Sequence, residues 1–147
     1  MFEAAHEANP RSIKAYYNKG VVLCAVGRHM KAMGAFRRCI LMDEMFAPAY
    51  VKLGNLALLS GKPKTAAENY LMALERDPRQ VEALVNLATI EWSKGNYPVA
   101  EEFLRTAYEY NDSSFLVTYN LGIMMCKSCA SNQMAVPWRR QNQNQLT

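Results

Sequence analysis

The chain has 147 residues, half of them hydrophobic, which is about one domain's worth of sequence with enough apolar side chains for a real core. No apolar run reaches the roughly 18 to 20 residues that a membrane span needs, and the acidic opening "MFEAAHEANP" is unlike a signal peptide. The net charge of +4 does not gather into a nucleic-acid surface: residues 13–46 carry six Lys or Arg against two Asp or Glu, 47–80 five against three, and 81–114 two against six, so an acidic third segment interrupts any basic stripe.

Taken in chain order, residues 1–12 look like the close of a helix, with Phe2 and Ala5 in helical spacing and Pro10 ending the run. From Ile13 the chain repeats every 34 residues, with new units beginning at Ala47, Val81 and Phe115. Gly27, Gly61 and Gly95 recur at that interval, as do Ala32, Ala66 and Ala100, then Gly20, Gly54, Ala88 and Gly122, and also Leu53, Leu87 and Leu121. Within a unit the apolar residues fall at i, i+3, i+4 and i+7 on both sides of the glycine, so 13–46, 47–80 and 81–114 are each predicted to be a pair of helices. The glycine fits the left-handed position just past a helix, and Pro63 and Pro98 fit the first turn of the next one.

Residues 115–130 supply one further first helix, after which the register fades: Cys129 stands at the glycine position and Met134 at the alanine position. The segment 131–147, "SNQMAVPWRRQNQNQLT", is rich in Asn and Gln without an apolar period, and is expected to be a disordered polar tail. The alternative is that Ala135 to Arg140 folds back as an improvised cap carrying Trp138, against which Pro137 argues. Stacked repeats need a polar cap at each end, and neither terminus reads as one, so the chain resembles a fragment of a longer array and self-association through uncapped ends is expected.

These residues resemble the tetratricopeptide repeat, the 34-residue helix-turn-helix with the pattern W-x2-L-G-x2-Y, A-x3-F, P. The second unit is nearest, with Tyr50, Leu53, Gly54, Ala57, Ala66, Tyr70, Ala73 and Pro78. The first departs at Lys19, Cys39 and Glu44, and the third at Glu91 and Asp112. The resemblance implies an all-α solenoid of antiparallel helix pairs in a right-handed superhelix, whose first helices line a concave groove that takes partner peptides.

In each first helix the fourth, seventh, eighth and eleventh positions form the packing stripe, and the face opposite them carries few charges for a solvated surface. From it come the candidate peptide-binding residues Tyr17, Asn18, Val21, Val51, Lys52, Asn55, Val85, Asn86, Thr89, Trp92, Tyr119 and Asn120. Asn18, Lys52, Asn86 and Asn120 share one position and make a ladder whose amides can grip a peptide backbone. The ladder is similar to the asparagine-lined superhelix of O-GlcNAc transferases. The chaperone-type carboxylate clamp is missing from its register, where Tyr17, Val21, Lys52, Glu82 and Asn86 stand. The alternative for Val51, Val85 and Trp92 is that packing between neighbouring units consumes them.

Catalysis lacks a constellation. Cys126-x-x-Cys129 has no second pair and no nearby histidine, His6 and His29 lie far apart in the array, and Glu101 and Glu102 point about 100° apart on one helix. The four cysteines are too irregular for a disulfide framework, which points to a reducing compartment and the cytoplasm, with the nucleus also open. The expected function is a non-catalytic interaction scaffold holding a protein or peptide partner, without cofactor, metal, nucleic acid or membrane span. The alternatives are a recruiting or regulatory segment of a larger enzyme, of the O-GlcNAc-transferase kind, and a self-assembling module of a multi-subunit complex.

Overall fold

A computed structural model describes residues 10–131; the expectations for 1–9 and for the tail from 132 onward lie outside them. Every regular element among the described residues is a helix: α1 (Pro10–Ala25), α2 (His29–Met42), α3 (Ala47–Leu59), α4 (Pro63–Arg76), α5 (Val81–Ser93), α6 (Tyr97–Tyr110) and α7 (Phe115–Ser131). Each helix packs on the next in the chain, and the contacts pair α1 with α2, α3 with α4 and α5 with α6 most extensively, the arrangement of an α-solenoid. Helix α1 starts three residues before Ile13, at Pro10, whose fixed φ and missing N–H suit a first turn.

The turn inside each unit is made by glycine. Gly27, Gly61 and Gly95 have φ of 75°, 69° and 84°. Each closes a paired cap: Gly61 N–H donates to Leu58 O and Lys62 N–H to Ala57 O, and the same two bonds recur around Gly27 and Gly95. Between units the turn belongs to aspartate, with Asp43 Oδ1 accepting from Met45 N–H and Asp77 Oδ1 from Arg79 N–H. Glu91, where the repeat usually has an aromatic residue, accepts from Lys94 and from the Asn96 amide in the turn, and these bonds lower its pKa.

Among the described residues the core forms three clusters, each joining one unit to its neighbour. The packing stripe is wider than the spacing rule alone predicts. Besides the expected Tyr50, Gly54 and Ala57, α3 buries Ala49, Val51 and Leu56, and α5 buries Ala83, Val85 and Ile90 at the same positions. The reason is that an inner first helix has neighbours on both sides: Ala49 and Leu56, like Ala83 and Ile90, cluster with the unit before, whereas Val51 and Val85 cluster with their own second helix and the first helix of the unit after. Ala83, Leu87 and Ile90 accordingly share a cluster with Ala66, Tyr70 and Ala73 of α4.

Within a unit, the eighth residue and the one sixteen further on vary together. A Cβ on Gly20 would lie 2.6 Å from Phe36 Cε1, and one on Gly54 would lie 2.5 Å from Tyr70 Cε1. The third unit has Ala88 opposite Leu104, a methyl group facing an aliphatic chain. Phe36, Tyr70 and Leu104 are all fully buried, so a flat ring needs a bare backbone beneath it.

Candidate functional site

The faces of α3 and α5 that the core leaves over meet in one polar network. Lys52 Nζ donates to both oxygens of Glu82, at 3.0 and 2.9 Å, although the two residues belong to different units. Asn55 Nδ2 donates to Glu82 Oε1 at 2.6 Å, and Asn55 Oδ1 accepts from Tyr70 Oη at 2.6 Å and from Asn86 Nδ2 at 3.1 Å. Asn55 is thus held at both ends of its amide, with the carbonyl oxygen toward two donors and the nitrogen toward a carboxylate. Tyr70 is a core residue whose hydroxyl alone reaches this surface. Burial pushes its phenol well above the usual range, and the Glu82 charge adds to the effect, so it stays a proton donor.

This arrangement changes what the ladder offers. Lys52 is neutralised by Glu82, and the Asn86 amide donates to Asn55 and lies within hydrogen-bonding reach of the Tyr70 phenol, so both side chains are engaged before any chain binds. Asn18 is exposed, and Asn120, half-buried on α7, also has an intramolecular partner. The four rungs are therefore chemically distinct: a solvated amide, a paired cation and two amides already oriented by neighbours.

The apolar members divide more sharply. Val51 and Val85 are 1 and 3% exposed and sit inside the core clusters, so neither offers surface to a ligand; both are consumed by packing between units. Val21, at 41%, is exposed, as is Thr89 at the same position of α5. The Tyr17 ring packs 5.7 Å from Phe36 and 5.6 Å from Phe46, centroid to centroid, and burial raises its hydroxyl pKa. Trp92 lies edge-on against Tyr97 at 4.5 Å and touches the third cluster, which leaves it half-buried. Thr89 is exposed but returns its hydroxyl to Val85 O. Tyr119 is 55% exposed and stacks on Phe115.

Two participants escaped the choice of candidates. Glu82 stood on the right face, and its spacing of one unit minus four residues from Lys52 was the available signal. Tyr70 carried none, because its ring belongs to the core and only the hydroxyl emerges. Outside this surface, Glu101 is paired with Arg105 at 2.7 Å, a helix-surface contact.

Comparison with known proteins gives a consistent result. The family model described as tetratricopeptide repeat matches residues 51–114. The chain is 34% identical over 122 residues to the human protein O-mannosyl-transferase TMTC3, a match that covers 81% of this chain and 13% of that protein, so the chain spans a small part of this relative. Among solved structures, the Sgt2 TPR domain from Aspergillus fumigatus superposes with a TM-score of 0.74 at 19% identity, covering 90% of this chain and 88% of that one. The first TPR of Spaghetti (RPAP3), bound to HSP90 peptide SRMEEVD, gives 0.72 at 11% identity over 84% and 98%. No helix of the described residues is long and apolar enough to cross a membrane.

Proposed function

We propose that this chain, a member of the tetratricopeptide-repeat family, is a non-catalytic interaction module that holds an extended, weakly charged peptide segment of a protein partner against the faces of α1, α3, α5 and α7. The observation that carries this reading is the Lys52–Glu82–Asn55–Asn86 network: it holds the half-buried amide of Asn86 in one orientation on the face shared by α3 and α5. A side chain held in place before binding loses little entropy on binding. A backbone amide of the partner meets Asn86, and apolar side chains meet Val21, Trp92 and Tyr119. The RPAP3 neighbour is bound to an acidic peptide. Here Glu82 cancels the one cation at the centre of the groove, which disfavours such a ligand.

The test is a peptide-array screen with wild-type protein and a doubly substituted Asn86→Ala, Tyr119→Ala variant, with Arg37→Ala on the exposed side of α2 as control. Partners retained by the control and lost by the double variant support the groove; equal capture by all three overturns it. A second reading, recruitment within a larger enzyme, is favoured by the similarity to a named transferase of which the chain spans 13%.

A further inference from the structure

We propose that the segment beyond residue 131 docks on α7, with the indole of Trp138 seated on Gly122, and so closes the C-terminal end of the array. The face in question is the one that an own second helix covers in every other unit. Tyr50 and Gly54 on α3, and Leu84 and Ala88 on α5, are buried by it, whereas Thr118 and Gly122, at the same positions of α7, are exposed. Apart from its own helix backbone and its two chain neighbours, no atom among the described residues lies within 4 Å of where a Gly122 Cβ would stand, whereas Gly20 and Gly54 have ring carbons inside 3 Å.

The occupant follows from the pairing inside the chain. Glycine occurs at the eighth position where an aromatic residue comes sixteen residues later, as in Gly20 with Phe36 and Gly54 with Tyr70; where Leu104 comes instead, the position is Ala88. The residue sixteen after Gly122 is Trp138. The fourth unit therefore keeps the glycine together with the ring that needs it, although its intervening register is otherwise lost at Cys129 and Met134. Reach does not forbid the contact. Helix α7 carries Ser131 about 13 Å past Gly122 at 1.5 Å per residue, and the seven residues from Ser131 to Trp138 span up to about 23 Å when extended. A tryptophan is also the right occupant for a mixed surface, because Thr118 leaves a polar group at its edge. This docking is independent of what binds the groove.

The chain has two tryptophans, so Trp92→Phe leaves Trp138 as the sole indole reporter in the full-length protein. Its emission should be blue-shifted and shielded from iodide at every protein concentration, and Gly122→Val on that background should move it to the red. Thermal melts give a second readout that does not depend on the reporter. On an uncovered helix face Gly122→Ala raises Tm through helix propensity; beneath a seated ring it lowers Tm by a few degrees. Adding Trp138→Leu to Gly122→Ala should recover that loss, because it recreates the Ala88–Leu104 pairing. Solvent-exposed emission, or a rise in Tm for Gly122→Ala, overturns the proposal. Shielding that appears only as concentration rises, with a matching dimer in sedimentation, assigns the face to a second copy and overturns it equally.

Discussion

Tyr70 and Asn55 join the core of the second unit to its outer face: the phenol is wholly enclosed by α3, α4 and α5, yet its hydroxyl donates to Asn55 Oδ1 at 2.6 Å. The ring supplies packing and the oxygen supplies orientation, so one substitution separates the two. Tyr70→Phe keeps the ring over Gly54 and removes only the donor. Asn55 Oδ1 retains Asn86, so the expected loss of stability is about 0.5 to 1.5 kcal/mol by chemical denaturation. Asn86, no longer held through a doubly bonded Asn55, should bind a peptide more weakly in the same variant.

The pH dependence of that bond has a definite sign. The phenol's pKa is raised in the folded protein, chiefly by burial, so the folded state favours the protonated form. Its contribution is fully present below the unfolded tyrosine value of about 10 and is lost as pH rises above it. Wild-type stability should therefore fall between about pH 10 and 12 more steeply than that of Tyr70→Phe, measured by denaturant titration at each pH. Parallel curves would show that Tyr70 does not carry the alkaline loss.

Glycine has three different jobs in this chain, and three substitutions tell them apart. Gly54→Ala forces a methyl group against the Tyr70 ring and should cost about 1 to 3 kcal/mol. Gly61→Val places a branched residue at a φ of 69° and should cost about 1 to 2 kcal/mol or more, with the two cap bonds strained together. Gly34→Ala, on the exposed side of α2 with nothing within 4 Å, should instead stabilise by about 0.5 to 1 kcal/mol. Melting curves for the three should move in these directions.

Most of the fold was legible because its determinants are local and periodic. The 34-residue interval places the starts of α3, α5 and α7, and glycine at the turns announces the left-handed caps. What spacing within one helix does not reveal is the second partner of that helix. Ala49 and Leu56 are buried against the preceding unit and Val51 in the cluster shared with the following one, and this depends on how units stack rather than on any single helical wheel. The same limit applied at the groove. Position alone put Lys52 and Asn86 on one surface, but the bonds that decide their availability run to Glu82, Asn55 and Tyr70, at separations of 15 to 31 residues.

Arg76 is a second joint between units. Its guanidinium lies 4.4 Å above the Tyr50 ring, Nε donates to Glu44 O across the unit boundary, and Nη1 donates to Met72 O of its own helix. With the side chain only 13% exposed, both the stacking and the forked donation are shielded from water. Arg76→Lys keeps the charge but cannot make the fork, and should cost about 1 to 2 kcal/mol. If the ion pair with Glu44 were the main contribution, Glu44→Gln would cost as much. That carboxylate is largely exposed, so the Gln variant should melt close to wild type.

The charge balance of the groove yields the sharpest functional contrast. Lys52 is held by both oxygens of Glu82, so an incoming carboxylate has to displace an existing partner rather than meet a bare cation. Glu82→Gln removes the competing charge while preserving an acceptor for Asn55, and leaves Lys52 available. An acidic test peptide such as SRMEEVD, measured by fluorescence anisotropy, should bind the Gln variant several-fold more tightly than wild type at low salt. The gain should shrink toward unity above about 0.5 M salt, where the Debye length is only a few ångströms. An uncharged apolar peptide should not distinguish the two proteins at any ionic strength. Equal affinity of both proteins for the acidic peptide at low salt would mean that the Lys52–Glu82 pair lies off the binding path, and the groove contact would then have to run along α5 and α7 alone.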